Sequence, residues 1–480
     1  MKKKLVSAML VLSMCSSLVA CGNSGANDDV VGTESGTETA SATDGSGESE
    51  ISMPDGYDAT SSSIYNEQLG DFYTAYQTAL DTEDVDEKFA LEAIAEAKLL
   101  ESAVMVPTTT KGGAYAISRY VPYTSPNVLW GNDYERYHNR LSVEGDLIKA
   151  TDIEAMKAKY KELKGTGTYV EWVKSYLADQ GYTLKDSYSQ GYVSDPVTWD
   201  ALNTSLASDA EAIINTYDGL MEYDEEGELQ PALAESYEVS DDGLTYTFHI
   251  RQGVSWVDSQ GREVADVTAD DFVAGMQHMM DCQAGLEYLV QGIIVGADSY
   301  ISGETSDFSE VGVKAVDDYT LEYTLEQPTS YFMTMLGYGV FAPMSRSYYE
   351  SQGGKFGVEF DSSASDYTYG KDSNSIAYCG PYLVTSSTEK NSIIFELNES
   401  YWNAANVANK KITWVFNDGT DATKAYNDAV AGIVDGCNLT TSALELAKND
   451  GNFDEYAFIG GTDATSFSAF VNLNRNAFYN

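Results

Sequence analysis

The stretch of sequence that most constrains the fold covers residues 231–256, PALAESYEVSDDGLTYTFHIRQGVSW. Tyr237 and Val239 alternate with polar residues before the turn sequence Ser-Asp-Asp-Gly. A second alternating set follows the turn and comprises Leu244, Tyr246, Phe248 and Ile250. A period of two on both sides of a glycine-containing turn predicts an antiparallel hairpin in which each strand buries one face. Gly243 can supply the positive φ that such turns often need, so the pattern predicts a scaffold and no function.

The strongly acidic composition argues against one class of partner. The 480-residue chain carries 28 Lys and Arg against 75 Asp and Glu, a formal net charge of −47. Such a surface repels phosphate backbones, so we do not expect nucleic-acid binding. The length leaves room for roughly two to four domains. The 35 Tyr suit either a binding surface or packed strands, and composition does not choose between them.

The N-terminus has the layout of an export signal. Three Lys precede a short apolar run and small residues, which predicts a signal peptide over residues 1–20. The run Leu18-Val19-Ala20-Cys21-Gly22 resembles a bacterial lipobox, which implies cleavage before Cys21 and lipidation of its thiol. The expected location is therefore the extracellular or periplasmic face of a bacterial cell membrane, with the lipid as anchor. An ordinary secretory signal with an unrelated Cys is the alternative.

The composition changes twice after the signal. Residues 21–51 are rich in Gly, Ser, Thr, Asp and Glu and are expected to form a disordered acidic tether. A mainly helical segment is predicted over residues 52–187, and strands with short helices over residues 188–480. Processing and lipidation would leave three cysteines, Cys282, Cys379 and Cys437. An odd number cannot all pair internally, so buried free thiols are predicted.

Helix signals dominate the segment before residue 188. Asp84 is a candidate N-cap with Glu87 three residues on, the arrangement of a capping box. The apolar face predicted for this helix comprises Phe89, Ala93, Ala97, Leu100 and Val104. Two further helices are predicted over residues 149–165 and 168–182, each ended by a glycine.

Strand patterns and one well-marked helix characterise the second part of the chain. The predicted strands cover residues 319–325, 391–398 and 410–417. Thr268 is a candidate N-cap with Asp271 at the third helical position, and a shorter helix is predicted from about residue 421 to 431. The residues of the Thr268 helix that are expected to face the core are Phe272, Met276 and Met279.

The sequence shows no pattern of a known catalytic or metal centre. It has no H-E-x-x-H, G-x-S-x-G or Walker A motif, no C-x-x-C pair and no D-x-D-x-D-G loop. The histidines are scattered along the chain at His138, His249 and His278. We therefore expect no enzyme activity, no cofactor and no metal site.

Several blocks resemble, in order, the extracellular solute-binding proteins of peptide ABC transporters, the oligopeptide- and dipeptide-binding group of solute-binding protein family 5. The resemblance covers about residues 192–480. The blocks are SDPVTWDAL at residues 194–202, the segment 217–258 around the hairpin, VTADDFVAGMQHMMD at 267–281, the Gly-Pro-Tyr and Asn-x-x-Tyr-Trp segment at 379–416, and AYNDAVAGIVDG at 425–436.

The resemblance implies an α/β fold of the periplasmic-binding-protein type, with two lobes, mixed sheets and an N-terminal helical segment added. It implies a monomer that binds an extended peptide through the peptide backbone and delivers it to an ABC permease and ATPase complex. An oligosaccharide, nickel or an opine is the alternative ligand, because the same fold serves these solutes. A surface sensor or adhesin without transport is a further alternative, and a hydrolase a remote third.

The chain departs from the family pattern in two places. The block at residues 467–480 resembles the crossing into the second lobe, so the first lobe is expected to be largely present and most of the second lobe missing. Residues 87–131 resemble the family's usual C-terminal end, although here they precede the opening strand. We interpret this as a permuted or duplicated arrangement in which the segment packs on the first lobe. An unrelated helical prefix is the alternative.

The resemblance also suggests ligand contacts at two places in the chain. The candidates are Asp195, Val197 and Trp199 on the opening strand, and Thr465, Ser466 and Phe467 near the lobe crossing. Each has a structural alternative. Val197 and Phe467 could be core residues, and Asp195 before Pro196 could merely shape a turn.

Overall fold

The computed structural model describes residues 59–80, 82, 84–110, 113–126, 128, 133–461 and 466–473. The predicted signal peptide, the lipidation site Cys21, the tether and Thr465 lie outside these residues. Among the described residues, no helix combines the length and the apolar character that a membrane span requires. The chain divides into a smaller unit, made of the residues up to Gly112 and those from Thr462, and a larger unit, Gly113–Gly461.

Helices and strands are both frequent, as an α/β fold requires. The α-helices are α1 (Ala59–Leu80), α2 (Val85–Glu101), α3 (Ala150–Leu163), α4 (Tyr169–Asp179), α5 (Ala207–Ile213), α6 (Ala269–Cys282), α7 (Ala297–Ser302), α8 (Phe332–Met335), α9 (Arg346–Ser351), α10 (Lys424–Val430), α11 (Thr441–Asp450) and α12 (Asn452–Tyr456). The strands are β1 (Met105–Thr110), β2 (Tyr115–Ser118), β3 (Ser142–Val143), β4 (Leu184–Lys185), β5 (Ser187–Tyr192), β6 (Met221–Tyr223), β7 (Leu229–Pro231), β8 (Ala234–Val239), β9 (Thr245–Ile250), β10 (Ser255–Val257), β11 (Glu263–Asp266), β12 (Val313–Asp317), β13 (Thr320–Thr324), β14 (Tyr382–Thr388), β15 (Ser392–Leu397), β16 (Lys411–Phe416), β17 (Gly436–Asn438), β18 (Phe458–Ile459) and β19 (Ser466–Phe470).

The smaller unit consists of a helix pair and a two-stranded sheet. Asp84 caps α2 by accepting the Glu87 N–H at 2.9 Å, as predicted. The predicted apolar face of α2 is wrong in part, because Phe89 and Leu100 are 48% and 39% exposed. The residues that form the core between α1 and α2 are Leu69, Phe72, Tyr76, Ala95, Leu99 and Val104. Helix α2 has apolar residues on more than one side, and contact with α1 selects the side that contains Ala95 and Leu99.

The central sheet of the larger unit mixes parallel and antiparallel pairs. Its strand order is β14-β15-β16-β5, with β16 parallel to β5 and the other pairs antiparallel. The predicted strands at 391–398 and 410–417 correspond to β15 and β16, each one residue shorter at both ends. This sheet and the helices around it confirm the predicted α/β class.

The hairpin predicted within residues 231–256 is formed by β8 and β9, with Gly243 at φ +70° in the turn. Tyr246, Phe248 and Ile250 of β9 are buried, as predicted. The expectation that β8 also buries a face is wrong, because all of its residues after Ala234 are exposed. The reason is position: β8 is the edge strand of the sheet β12-β13-β9-β8 and packs against a neighbour on one side only.

Helix α6 agrees with its sequence signature. Thr268 and Asp271 form the predicted capping box. The predicted core residues Phe272, Met276 and Met279 are all buried. The Trp256 indole N–H donates to Asp271 Oδ2 at 3.0 Å, which ties the helix start to β10.

Strand pairing joins the segment before residue 188 to later parts of the chain. In the larger unit, β2 pairs with both β17 and β18, and α3 and α4 share one core. In the smaller unit, β1 pairs antiparallel with β19, with Thr110 opposite Ser466. Strands β1 and β2 therefore pair with strands that follow residue 435. The permuted or duplicated order stays a prediction.

Candidate functional site

The carboxyl ends of two parallel strands meet at one edge of the central sheet. Phe416 at the end of β16 lies opposite Tyr192 at the end of β5, and the Asn417 N–H donates to the Tyr192 carbonyl at 2.8 Å. The turn between β14 and β15 reaches the same edge, where the Phe416 N–H donates to the Asn391 carbonyl at 2.9 Å. We call residues 193–200, 389–391 and 417–421 the strand-end rim. Open α/β sheets bind ligands outside the carboxyl ends of their strands, so the rim is the candidate site of the larger unit.

The opening loop differs from its sequence prediction. Asp195, Val197 and Trp199 were expected on the opening strand, but β5 ends at Tyr192 and all three lie in the loop that follows. Pro196 has no N–H to offer a neighbouring strand, and the Val197 N–H donates to Asp209 Oδ1 at 2.7 Å instead. The backbone therefore leaves the sheet before these residues.

Asp195 holds two parts of the rim together. Its Oδ1 accepts the Tyr192 hydroxyl at 2.8 Å, and its Oδ2 accepts the backbone N–H of Lys390 at 2.8 Å. Both carboxylate oxygens are thus engaged with residues of this unit. Asp195 therefore positions the turn at 389–391 against the opening loop. The alternative that it merely shapes a local turn does not account for the hydrogen bond to Lys390.

The apolar side chains of the opening loop divide between solvent and core. Val193 and Val197 are 73% and 75% exposed, so the core alternative for Val197 is wrong. Trp199 is only 5% exposed, and its backbone N–H donates to the Gly370 carbonyl at 2.8 Å. Val197 therefore presents apolar surface at the rim, while Trp199 belongs to the core of the unit.

The second group of predicted contacts belongs to the smaller unit. Ser466 is exposed, and Phe467 is 53% exposed on β19 and so is not a core residue. The Thr108 hydroxyl donates to the Phe467 carbonyl at 2.9 Å, which fixes this part of the strand against β1. Thr465 lies outside the described residues, so its assignment stays a prediction.

Sequence reasoning missed a buried charge network in the larger unit. Arg136 is 2% exposed, and its Nη1 donates to the carbonyls of Ile214 and Tyr217 at 2.9 and 2.8 Å and to Asp218 Oδ1 at 3.5 Å. The Asp218 carboxylate is fully buried. Arg136 precedes Asp218 by 82 residues, so no local spacing in the sequence could reveal the pair.

Aromatic donors complete the surroundings of Asp218. Its Oδ2 accepts the Tyr401 hydroxyl at 2.9 Å and the Trp402 indole N–H at 2.8 Å. Burial raises the pKa of Asp218 to about 6, and the nearby charge of Glu222 acts in the same direction, while Arg136 opposes them. These hydrogen bonds provide a structural reason for the Tyr-Trp pair in the sequence.

His138 belongs to the same network through Glu222. Its Nε2 lies 3.1 Å from Glu222 Oε1, and both groups are largely buried. Burial by itself lowers the pKa of His138, but the charge of Glu222 and the hydrogen bond to it together raise that pKa above 6.5. The network therefore connects residues 136–138 with β6. We call Arg136, His138, Asp218 and Glu222 the buried charge network.

Comparison with known proteins decides the family. A profile of the bacterial extracellular solute-binding proteins, family 5 (middle region), matches residues 228–480. The chain belongs to this family. Its members are solute-binding proteins, which agrees with the expectation that the chain is not an enzyme. The match includes the hairpin, helix α6 and the strands β14 to β19.

Several of the relatives found for this family 5 chain are named oligopeptide-binding proteins. SarA of Streptococcus gordonii is 37% identical over 287 residues, 60% of this chain and 42% of SarA. AliA of Streptococcus pneumoniae is 34% identical over 332 residues, 69% of this chain and 46% of AliA. The substrate-binding domain of an oligopeptide ABC transporter from Bacillus anthracis is 28% identical with a TM-score of 0.47, covering 55% of this chain and 48% of that chain. This family 5 chain therefore spans less than half the length of the curated relatives it matches.

Only some of the predicted ligand contacts lie within the residues that match the family profile. Ser466 and Phe467 lie within the matched residues, whereas Asp195, Val197 and Trp199 precede them. The structure places those three in one loop of the larger unit, at the carboxyl end of β5. Their role as ligand contacts of this family 5 protein stays a prediction.

Proposed function

We propose that this chain captures peptides outside a bacterial cell and delivers them to an ABC permease and ATPase complex. The observation that carries the proposal is the 37% identity to an oligopeptide-binding protein over 60% of the chain. The matched region contains most of the sheet and helix framework of the larger unit. Because the relatives are more than twice as long as the matched part, the activity of the whole protein is inferred from this framework.

The rim has features that suit a peptide read through its backbone. An extended peptide of any sequence offers the same row of amide groups, and backbone recognition therefore tolerates varied side chains. Val193 and Val197 supply exposed apolar surface beside the strand ends. The net charge of −47 disfavours anionic ligands and favours the approach of neutral or cationic peptides.

We also propose that the protein is held at the membrane by lipid on Cys21. The support is the lipobox-like run that ends in Cys21 and the Gly- and Ser-rich residues after it. Mass spectrometry of the chain from bacterial membranes should find a diacylated N-terminal Cys21. The Cys21→Ala variant should leave the membrane fraction, and its retention there would contradict lipid anchoring.

Titration calorimetry tests the ligand class directly. The chain with Cys21→Ala, which avoids lipid, would be titrated with a mixture of oligopeptides, with oligosaccharides, with nickel and with opines. The proposal predicts saturable heat with peptides alone. Saturable heat with another solute and none with any peptide would replace peptide capture by the corresponding alternative.

Transport is tested separately from capture, since a surface sensor would also bind peptide. Deletion of the gene should reduce uptake of radiolabelled peptide by the producing bacterium, and the intact gene should restore it. Unchanged uptake by the deletion strain, with peptide binding intact, would favour the sensor.

A further inference from the structure

Three potential metal ligands meet inside the larger unit, at the base of the opening loop. Asp200 ends the loop, while His278 and Cys282 lie one turn apart on α6. His278 Nε2 is 2.7 Å from Asp200 Oδ2, and Cys282 Sγ is 3.5 Å from His278 Nε2. One ligand atom from each of the three residues lies within 4.8 Å of the others.

The surroundings of this cluster are aromatic. The His278 ring has its centroid 4.6 Å from that of Tyr349, 5.5 Å from that of Phe360 and 6.1 Å from that of Tyr369. The side chains of His278 and Asp200 are 0% and 2% exposed. Burying a carboxylate such as that of Asp200 in such a place costs several kcal/mol unless further partners compensate. A bound cation would be such a partner.

A buried hydroxyl beside the cluster has no hydrogen-bond partner. Tyr367 is 3% exposed, and its hydroxyl makes no hydrogen bond among the described residues. The Tyr367 ring has its centroid 6.2 Å from those of Tyr349 and Phe360, the two rings that also pack against His278. Buried polar groups in proteins nearly always have a partner, and a water bound to an ion in this pocket would give the hydroxyl one.

We propose that Asp200, His278 and Cys282 bind one Zn²⁺ ion, in the aromatic pocket that also contains Tyr367. Thiolate, imidazole and carboxylate are the three ligand types that Zn²⁺ takes in proteins, and the thiolate disfavours Mg²⁺ and Ca²⁺. On binding, the thiol of Cys282 gives up its proton to solvent and the sulfur becomes a thiolate ligand, while His278 binds as a neutral imidazole with its ring proton on Nδ1, so that the ion replaces the proton between Nε2 and Asp200 Oδ2.

The observed distances are close to those of a tetrahedral site. Zn–N and Zn–S bonds of about 2.0 and 2.3 Å place the two ligand atoms about 3.5 Å apart, and Cys282 Sγ and His278 Nε2 are 3.5 Å apart. Because Cys282 Sγ is also 3.6 Å from His278 Nδ1, the sulfur faces the ring, and a rotation of the thiol toward Nε2 would accompany binding. The carboxylate and the imidazole, now 2.7 Å apart, would separate by roughly 0.5 Å to admit the ion.

The backbone around Asp200 is fixed closely enough to hold a site. Asp200 Oδ1 accepts the Leu202 N–H at 3.1 Å, which leaves Oδ2 directed to His278. A Cβ at Gly370 would lie 2.5 Å from Asp200 Cβ, so only glycine permits this approach. Since Val197 is in the same loop, the ion would connect the rim to α6 independently of what the rim binds.

Cobalt substitution tests the site with the metal alone. The Cys21→Ala chain, stripped with chelator and dialysed, should bind one Co²⁺ per chain and show an intense near-ultraviolet thiolate-to-cobalt band that Zn²⁺ abolishes. Cys282→Ser should remove the band, and His278→Gln should weaken Co²⁺ binding at least tenfold. Cys437→Ser, at another half-buried free thiol, should leave both unchanged.

X-ray absorption of the zinc-loaded chain provides a second measurement that needs no variant. It should show one sulfur at about 2.3 Å and nitrogen or oxygen neighbours at about 2.0 Å. A zinc shell without sulfur, a band that survives Cys282→Ser, or no cobalt binding at all would overturn the proposal. None of these results depends on whether peptide binds, so the proposed function is tested apart from it.

Discussion

The strand-end rim and the buried charge network lie in the same unit and use their polar groups in opposite ways. At the rim, Asp195 bonds to two neighbours near the surface, while Val197 beside it is 75% exposed. In the network, Arg136 and Asp218 are buried, and their bonds go to carbonyls and aromatic donors inside the unit. Substitutions in the network should therefore reduce stability, and substitutions of exposed rim residues should reduce ligand binding with little loss of stability.

The largest effect is expected from Asp218→Ala. The substitution removes one of the two carboxylates beside Arg136, the other being Glu222 at 4.0 Å, and removes the acceptor of the Tyr401 and Trp402 donors. We expect a loss of about 3–5 kcal/mol in the free energy of unfolding, measured by urea denaturation. Asp241→Ala, at an exposed position of the hairpin turn, is the control and should change little. Equal effects of the two substitutions would contradict the assignment of the network as a stabilising core.

A smaller loss is expected from Asp195→Ala at the rim. It removes the acceptor of the Tyr192 hydroxyl and of the Lys390 N–H, both bonded at 2.8 Å. We expect about 1–2 kcal/mol, because the two donors can turn partly to water. Asp195→Asn, which keeps one acceptor oxygen, should recover part of the loss. If both variants unfold at the same urea concentration as the unchanged chain, Asp195 does not position the rim.

The contribution of His138 to the free energy of unfolding should depend on pH. Its pKa is raised in the folded state, so its contribution is fully present below pH 6.5 and is lost as the pH rises through the folded pKa. His138→Gln should therefore destabilise the protein more at pH 6 than at pH 9. Urea unfolding at both pH values measures the difference. A variant that loses the same free energy at both would show that His138 is not charged in the folded protein.

The smallest effect is expected on the exposed strand of the hairpin. Val239 of β8 is 43% exposed at the sheet edge, so Val239→Thr should change the free energy of unfolding by no more than about 0.5 kcal/mol. Phe248→Ala on β9 removes a fully buried ring and should cost about 3–5 kcal/mol. Thermal unfolding of the two variants would show whether the two strands of the hairpin differ as their burial indicates.

Local signals in the sequence predicted local structure well. The capping box of α6, the turn at Gly243 and the alternation of β9 each depend on neighbours within a few residues, and all three are confirmed. The exposure of β8 could not be predicted, because it depends on which strand lies at the edge of the sheet.

The groups at the candidate sites were harder to predict, because their partners are distant in the sequence. Arg136 meets Asp218, and His278 meets Asp200, across 82 and 78 residues. His278 and Cys282 share a helix face at i and i+4, but two ligands without a third did not indicate a metal site. Pro196 was the one local signal that Val197 lies outside the strand, while the hydrogen bond from the Val197 N–H to Asp209 joins residues 12 apart and follows no residue pattern.

The central claim, that peptide binds at the strand-end rim, is tested most directly by one matched pair of substitutions. Val197→Asp and Val358→Asp each place a carboxylate at an exposed valine, 75% and 89% exposed respectively, and only Val197 belongs to the rim. Calorimetric titration with the peptides that bind the unchanged chain should give an affinity at least tenfold lower for Val197→Asp and an unchanged affinity for Val358→Asp. Unchanged peptide affinity in both variants, with both chains folded, would contradict binding at the rim.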